Sequence, residues 1–187
     1  LDNRKDFCAA FEAYKLFNNY VKNTSEYKKH NAEKYFECQR KKALQLRCLQ
    51  KTSAYISDFE SSWFQPTFLI GFPRSGTTLL DTILRTHSKI GVAEEIPIIA
   101  KMNRKLGSLT DISMIENIDE KAAKIASKFY IEELRKHIGL TENQIAIDKL
   151  PLNILDIPLI NRIFPNAKFI LALRHPFDCV LSCWMQD

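Results

Sequence analysis

Gly71-Phe72-Pro73-Arg74-Ser75-Gly76-Thr77-Thr78 is the stretch that decides the fold of this 187-residue chain. The apolar run Thr67-Phe68-Leu69-Ile70 enters it and reads as a buried strand, and a helix is expected from about Gly76 to Thr86. The two glycines have the G-x-x-x-x-G spacing of a phosphate-binding loop. Gly76 lets the backbone come close to an anion, and the unpaired N–H groups at a helix start point towards it. Thr77 and Thr78 add hydroxyl donors in the first turn. A nucleoside triphosphatase needs lysine directly after the second glycine to reach the β- and γ-phosphates. Thr77 stands there instead, and the cation is Arg74, inside the loop. That pattern suits a donor without a γ-phosphate. A tight strand-to-helix turn with no ligand is the alternative, and it leaves Arg, Ser, Thr and Thr together without a purpose.

Outward from the loop, strands and helices alternate. Ile90-Gly91-Val92 reads as a second strand ending at the pair Glu94-Glu95, and Pro97 suits the first turn of a helix running to about Leu106. Another helix is expected from about Asp119 to His137, with Gly139 as its C-cap. Ile145-Ala146-Ile147 reads as a third strand and Lys168 to Leu173 as a fourth, with a short helix near Ile157–Phe164 between them. Pro176 opens a last helix. The alternation predicts an α/β domain over residues 66–187, a P-loop-type parallel sheet flanked by helices on both faces. Ahead of it, residues 1–60 contain no glycine or proline and are expected to be α-helical. Phe7, Ala10, Phe11, Tyr14, Phe17 and Val21 form one apolar stripe, Asn23-Thr24-Ser25 breaks it, and a second helix is expected from about Glu26 to Ser57.

Composition narrows the function classes. Apolar residues are 45% and charged residues 26%, as in a soluble domain, and no apolar run approaches the roughly 20 residues of a membrane span. The net charge of +5 is uneven: residues 1–51 carry 12 Lys and Arg against 6 Asp and Glu, and the remainder 15 against 16. The basic third reads as a solvated helical face, so no nucleic-acid partner is expected. The five cysteines (Cys8, Cys38, Cys48, Cys179 and Cys183) contain no C-x-x-C pair and no zinc-site spacing, so neither a disulfide framework nor a metal is expected. Reduced thiols imply a cytoplasmic setting, the alternative being a Golgi lumen if an anchor precedes Leu1.

Pro73-Arg74-Ser75-Gly76-Thr77-Thr78-Leu79-Leu80, followed by Glu94-Glu95, resembles the sulfotransferase superfamily, in its tyrosylprotein-sulfotransferase-like and bacterial branch. A second motif follows in the family's order, Leu173-Arg174-His175-Pro176-Phe177-Asp178-Cys179-Val180-Leu181-Ser182. The resemblance covers about Thr67 to Asp187, and since the family's domain continues past this motif it implies a C-terminally truncated domain. It implies that Arg74, Ser75, Gly76, Thr77 and Thr78 hold the 5′ side of PAPS, 3′-phosphoadenosine 5′-phosphosulfate, and that Arg174 and Ser182 hold its 3′-phosphate. It further implies that Glu95, rather than Glu94, is the base, and that Lys149 with Arg74 steadies charge on the bridging oxygen. The expected reaction moves a sulfuryl group from PAPS to a hydroxyl of a peptide tyrosine, a sugar or a small metabolite. Ala9 to Phe17 resembles one helix of a tetratricopeptide repeat, so residues 1–60 are expected to end a repeat array. Two rivals stand beside this: a P-loop kinase or nucleoside triphosphatase, and a helical-repeat interaction protein with an inactive partial catalytic domain.

Overall fold

Four five-residue strands build the sheet, β1 (Thr67–Gly71), β2 (Ile90–Glu94), β3 (Ile145–Lys149) and β4 (Lys168–Ala172). The computed structural model describes residues 5–29, 32–48, 65–139 and 144–186. The strands run in the order β2-β3-β1-β4 and every pairing is parallel. β1 is therefore interior and buried along its whole length, whereas β4 lies at an edge and is largely open. Parallel strands need crossovers, supplied here by α4 (Thr77–Leu84), α5 (Ile98–Lys105), α6 (Ile112–Glu116), α7 (Glu120–Ile138) and α8 (Ile157–Ile163).

Side chains alternate across β1. Phe68 and Ile70 face a large core with Tyr130 and Leu134 of α7, Ile98 and Met102 of α5, and Ile160 and Ile163 of α8. Leu69 faces the other way, with Val92 and Ile147 against Leu80 and Leu84 of α4. Both faces are thus covered, as the apolar strands require. Phe68 is fully buried, stacked on Phe169 at 5.6 Å between ring centroids, and such burial contributes about 2–3 kcal/mol.

Register positions the site. Glu94 pairs with Lys149, Leu69 pairs with Lys149, and Gly71 pairs with Ala172. The carboxyl ends of all four strands thus meet on one side of the sheet, where folds of this kind place ligands.

The N-terminal helices are α1 (Phe7–Asn23), capped by Asp6, then α2 (Ser25–Lys29) and α3 (Ala32–Cys48). The expected second helix is thus represented by α2 and α3, and residues 49–57 of that expectation lie outside the described residues. α3 reaches the α/β part through Lys42 to Asp156 at 2.7 Å and Lys41 to Asp111 at 2.9 Å.

Two strand ends and two short elements differ from the sequence reading. β3 runs through Asp148 and Lys149, two residues beyond the expected Ile145-Ala146-Ile147; both are completely buried, and the charged pair is part of the strand because partners meet it there. β4 stops at Ala172, one residue before the expected Leu173, so Arg174 lies two residues beyond the strand. His175 precedes a proline and is held extended at φ −56°, ψ 129°. α6 and the short 3-10 helix Pro151–Asp156 go beyond the sequence expectation, being too short to show a period. α9 (Pro176–Trp184) opens at Pro176 as expected. No helix among the described residues is long and apolar enough to cross a membrane.

Candidate active site

The loop between β1 and α4 folds around two left-handed residues, Arg74 at φ 67° and Gly76 at φ 95°. Glycine takes that conformation freely, whereas Arg74 adopts it at a cost of about 1–2 kcal/mol. The Ser75 N–H closes this turn onto the Phe72 carbonyl at 3.1 Å. Thr77 and Thr78 then begin α4, where first-turn N–H groups have no carbonyl inside the helix to meet. Gly71 lets this loop close onto the sheet. A Cβ there would stand 2.7 Å from Ser75 Oγ and 2.8 Å from the Ala172 carbonyl oxygen. Ser75 is buried against that glycine, and its hydroxyl oxygen has no hydrogen-bond partner among the described residues.

Both sequence motifs converge. Arg74 Nε donates to Ser182 Oγ at 3.0 Å, and Arg174 Nη1 donates to the Arg74 carbonyl at 3.2 Å. A cleft of about 320 Å³ opens there, lined by Pro73, Arg74, Gly76, Thr77, Thr78, Glu95, Pro151, Arg174 and Gln186. Its volume lies at the small end of the roughly 300–1,000 Å³ typical of small-molecule sites. Six of the expected site residues line it. Ser75 and Lys149 sit behind the wall as buried supports, and Ser182 reaches the cleft through Arg74.

Glu95 follows β2 at φ 53°, and its N–H donates to the Lys149 carbonyl at 2.7 Å. Of four described non-glycine residues with positive φ, two are Arg74 and Glu95, so backbone strain gathers around the cleft. Lys149 Nζ, wholly buried, donates to Glu95 Oε1 at 2.9 Å and Glu94 Oε1 at 3.1 Å, and approaches Thr78 Oγ1 at 3.5 Å. Burial opposes its charge, but the hydrogen bonds and charges of Glu95 and Glu94 prevail and raise its pKa above the ordinary lysine value. Lys149 therefore stays protonated at neutral pH.

Sequence reasoning missed what stands behind Lys149. Arg85 binds the buried Asp81 through two bonds of 2.6 and 2.9 Å and reaches Glu94 at 3.0 Å. Glu94 is thus shared between two cations, while Glu95 is 58% exposed on its side chain and opens to the cleft. The i,i+4 spacing of Asp81 and Arg85 was the signal that could have found this chain of charges. Asp148, on the strand beside Lys149, accepts from the Tyr130 hydroxyl at 2.9 Å and from Asn153 at 3.4 Å. Burial pushes its carboxyl up to about 7, against the pull of those two donors. His87 and His175 are not among the residues lining this cleft: His87 Nδ1 accepts from the Lys89 N–H, and His175 packs edge-on against Phe177. No cluster of metal-binding side chains occurs among the described residues.

The arrangement brings two sets of anion-binding donors to one cleft, with the Glu95 carboxylate on its lining and the Lys149 ammonium directly behind it. Comparison with known proteins agrees with that chemistry. The model of the sulfotransferase family matches residues 66–187. An uncharacterized protein of Aquifex aeolicus is 33% identical over 132 residues, which are 66% of this chain and 17% of that protein. Human protein-tyrosine sulfotransferase 1 is 32% identical over 132 residues, 66% of this chain and 34% of that protein. Chicken (Gallus gallus) protein-tyrosine sulfotransferase 2 is 29% identical over 117 residues, 57% of this chain and 30% of that protein. The chain spans about a third or less of the length of each of these three curated relatives.

Proposed function

This chain belongs to the sulfotransferase family, and from that premise we propose that it binds PAPS and transfers its sulfuryl group to an acceptor hydroxyl, peptide tyrosine being the first candidate. One observation carries the reading: Arg74 and Arg174, 100 residues apart, line one cleft together with Glu95. The donor set fits a bisphosphorylated nucleotide. The turn at Arg74 and Gly76 with the α4 N-terminus suits the 5′ side, and Arg174 with Ser182 suits the 3′-phosphate. Thr77, where a triphosphatase has lysine, is buried and carries no charge for a γ-phosphate.

PAPS supplies the sulfuryl group when bound. The residues of this chain do the rest. Glu95 takes the proton of the acceptor hydroxyl on its open carboxylate. Neutralising Glu95 weakens its bond with Lys149, so the ammonium's charge becomes available to the departing phosphate as that charge develops. Glu94 keeps Lys149 in place, being itself held by Arg85. Electrostatic preorganisation of this kind is the main resource for group transfer. The names of the human and chicken relatives support tyrosine as acceptor.

Incubation with 35S-labelled PAPS and a panel of tyrosine peptides, sugars and small phenols tests the reading. Labelled acceptor, lost in Glu95→Gln, is expected. Tighter binding of ATP than of adenosine 3′,5′-bisphosphate would overturn it in favour of a kinase or triphosphatase.

A further inference from the structure

We infer that the N-terminal helix α1 braces the donor site from outside the cleft: its Phe11–Tyr14–Asn18 face clasps Trp184 and thereby positions Ser182 and, through it, Arg74. The inference rests on the donor reading above.

The clasp is specific. Phe11 stacks on Trp184 with centroids 4.6 Å apart and planes at 29°, and Tyr14 meets the same ring at 5.9 Å. Asn18 Nδ2 donates at 2.9 Å to the Trp184 carbonyl, 166 residues away, and at 2.9 Å to the Tyr14 carbonyl one turn back. Phe11, Tyr14 and Asn18 recur at steps of three and four and so share one face of α1. Trp184 ends α9, and the last carbonyls of a helix have no partner within it. Asn18 satisfies this one from outside.

α9 needs the support. Only Cys179 among its residues is buried, so its other anchors are its two ends. Its last turn carries three consecutive attachments. Ser182 accepts from Arg74, Cys183 Sγ lies 3.9 Å from the Pro73 carbonyl, and Trp184 is held by α1. The phosphate loop, the second anion cradle and α1 are therefore joined through three adjacent residues. A ligand that bridges loop and α9 must tighten α1 by the same free energy with which α1 tightens the ligand. Asn18, Phe11 and Tyr14 are positioning residues, since none of them lines the cleft.

Hydrogen exchange of this chain, with and without saturating adenosine 3′,5′-bisphosphate, tests this. The expected result is slower exchange, about threefold or more, at residues 71–80, 176–186 and 7–23 together. Calorimetry of the same ligand on Phe11→Ala and Asn18→Ala should show about threefold to tenfold weaker binding, with Phe11→Tyr restoring it. Protection of residues 71–80 without any at 7–23, or unchanged affinity in both variants, overturns the inference while the donor reading stands. No protection at 71–80 overturns the donor reading and this inference with it.

Discussion

The two strand-to-helix crossings of the cleft, β1 to α4 and β4 to α9, solve one problem by opposite means. At the centre of the sheet the first is made of backbone: Gly71 seats it, Arg74 and Gly76 turn it, and the α4 N-terminus completes it. The second, at the sheet edge, is made of side chains: Arg174 beyond the strand and Ser182 in the last turn of α9. A crossing seated on buried residues such as Gly71, Ser75 and Thr77 can fix its backbone because the packing around them forbids alternatives. An exposed one depends on long side chains and on whatever braces them, here Arg74 and α1.

Ways to break this contrast can be ranked by size. Lys149→Met, beneath the central crossing, should lower turnover of the sulfated acceptor about 10²–10³-fold by steady-state assay, the range for removing one preorganised charge-stabilising donor. Loss below tenfold would remove Lys149 from the chemistry. Gly71→Ala should destabilise the fold by about 2–3 kcal/mol in chemical denaturation, because the new methyl meets the Ala172 backbone oxygen at 2.8 Å. A neutral result would mean that the central crossing is as yielding as the edge one.

Asp148 gives a pH test of the same buried centre. Its folded pKa of about 7 lies above the unfolded value near 3.8, so folding favours the protonated form. The contribution is full below the unfolded value and is lost as pH rises towards 7. Relative to Asp148→Asn, the wild type should lose about 2 kcal/mol of stability between pH 5 and pH 7, read from denaturation midpoints. A parallel pair of pH curves would refute the buried, neutral carboxyl. At the edge, Leu173→Ala should change stability by less than about 0.5 kcal/mol, since Leu173 is 83% exposed. A larger cost would show that the edge crossing is packed in solution.

The same contrast explains what could be read in advance. The central loop was legible because its chemistry lies in eight consecutive residues, two of them glycines at fixed spacing. Arg174 and Ser182 were legible only as a second motif in the right order, and their contact with Arg74 was not, because a hydrogen bond across 108 residues leaves no local trace. Lys149 lies beyond the apolar run Ile145–Ile147 that marks the strand; Glu94, meeting it in register, and Glu95 beside it let it stay buried. Trp184 gave no signal at all, since its partners are in α1, at the opposite end of the sequence.

Calorimetry with two ligands addresses the central claim, that one cleft clamps both ends of a bisphosphorylated adenosine. Adenosine 3′,5′-bisphosphate and adenosine 5′-monophosphate would be titrated into wild type, Arg74→Ala and Arg174→Ala. Arg174→Ala should cost about 1.5–3 kcal/mol with the bisphosphate and almost nothing with the monophosphate, while Arg74→Ala should weaken both. Equal losses for the two ligands in Arg174→Ala, or no loss in either variant, would contradict the account.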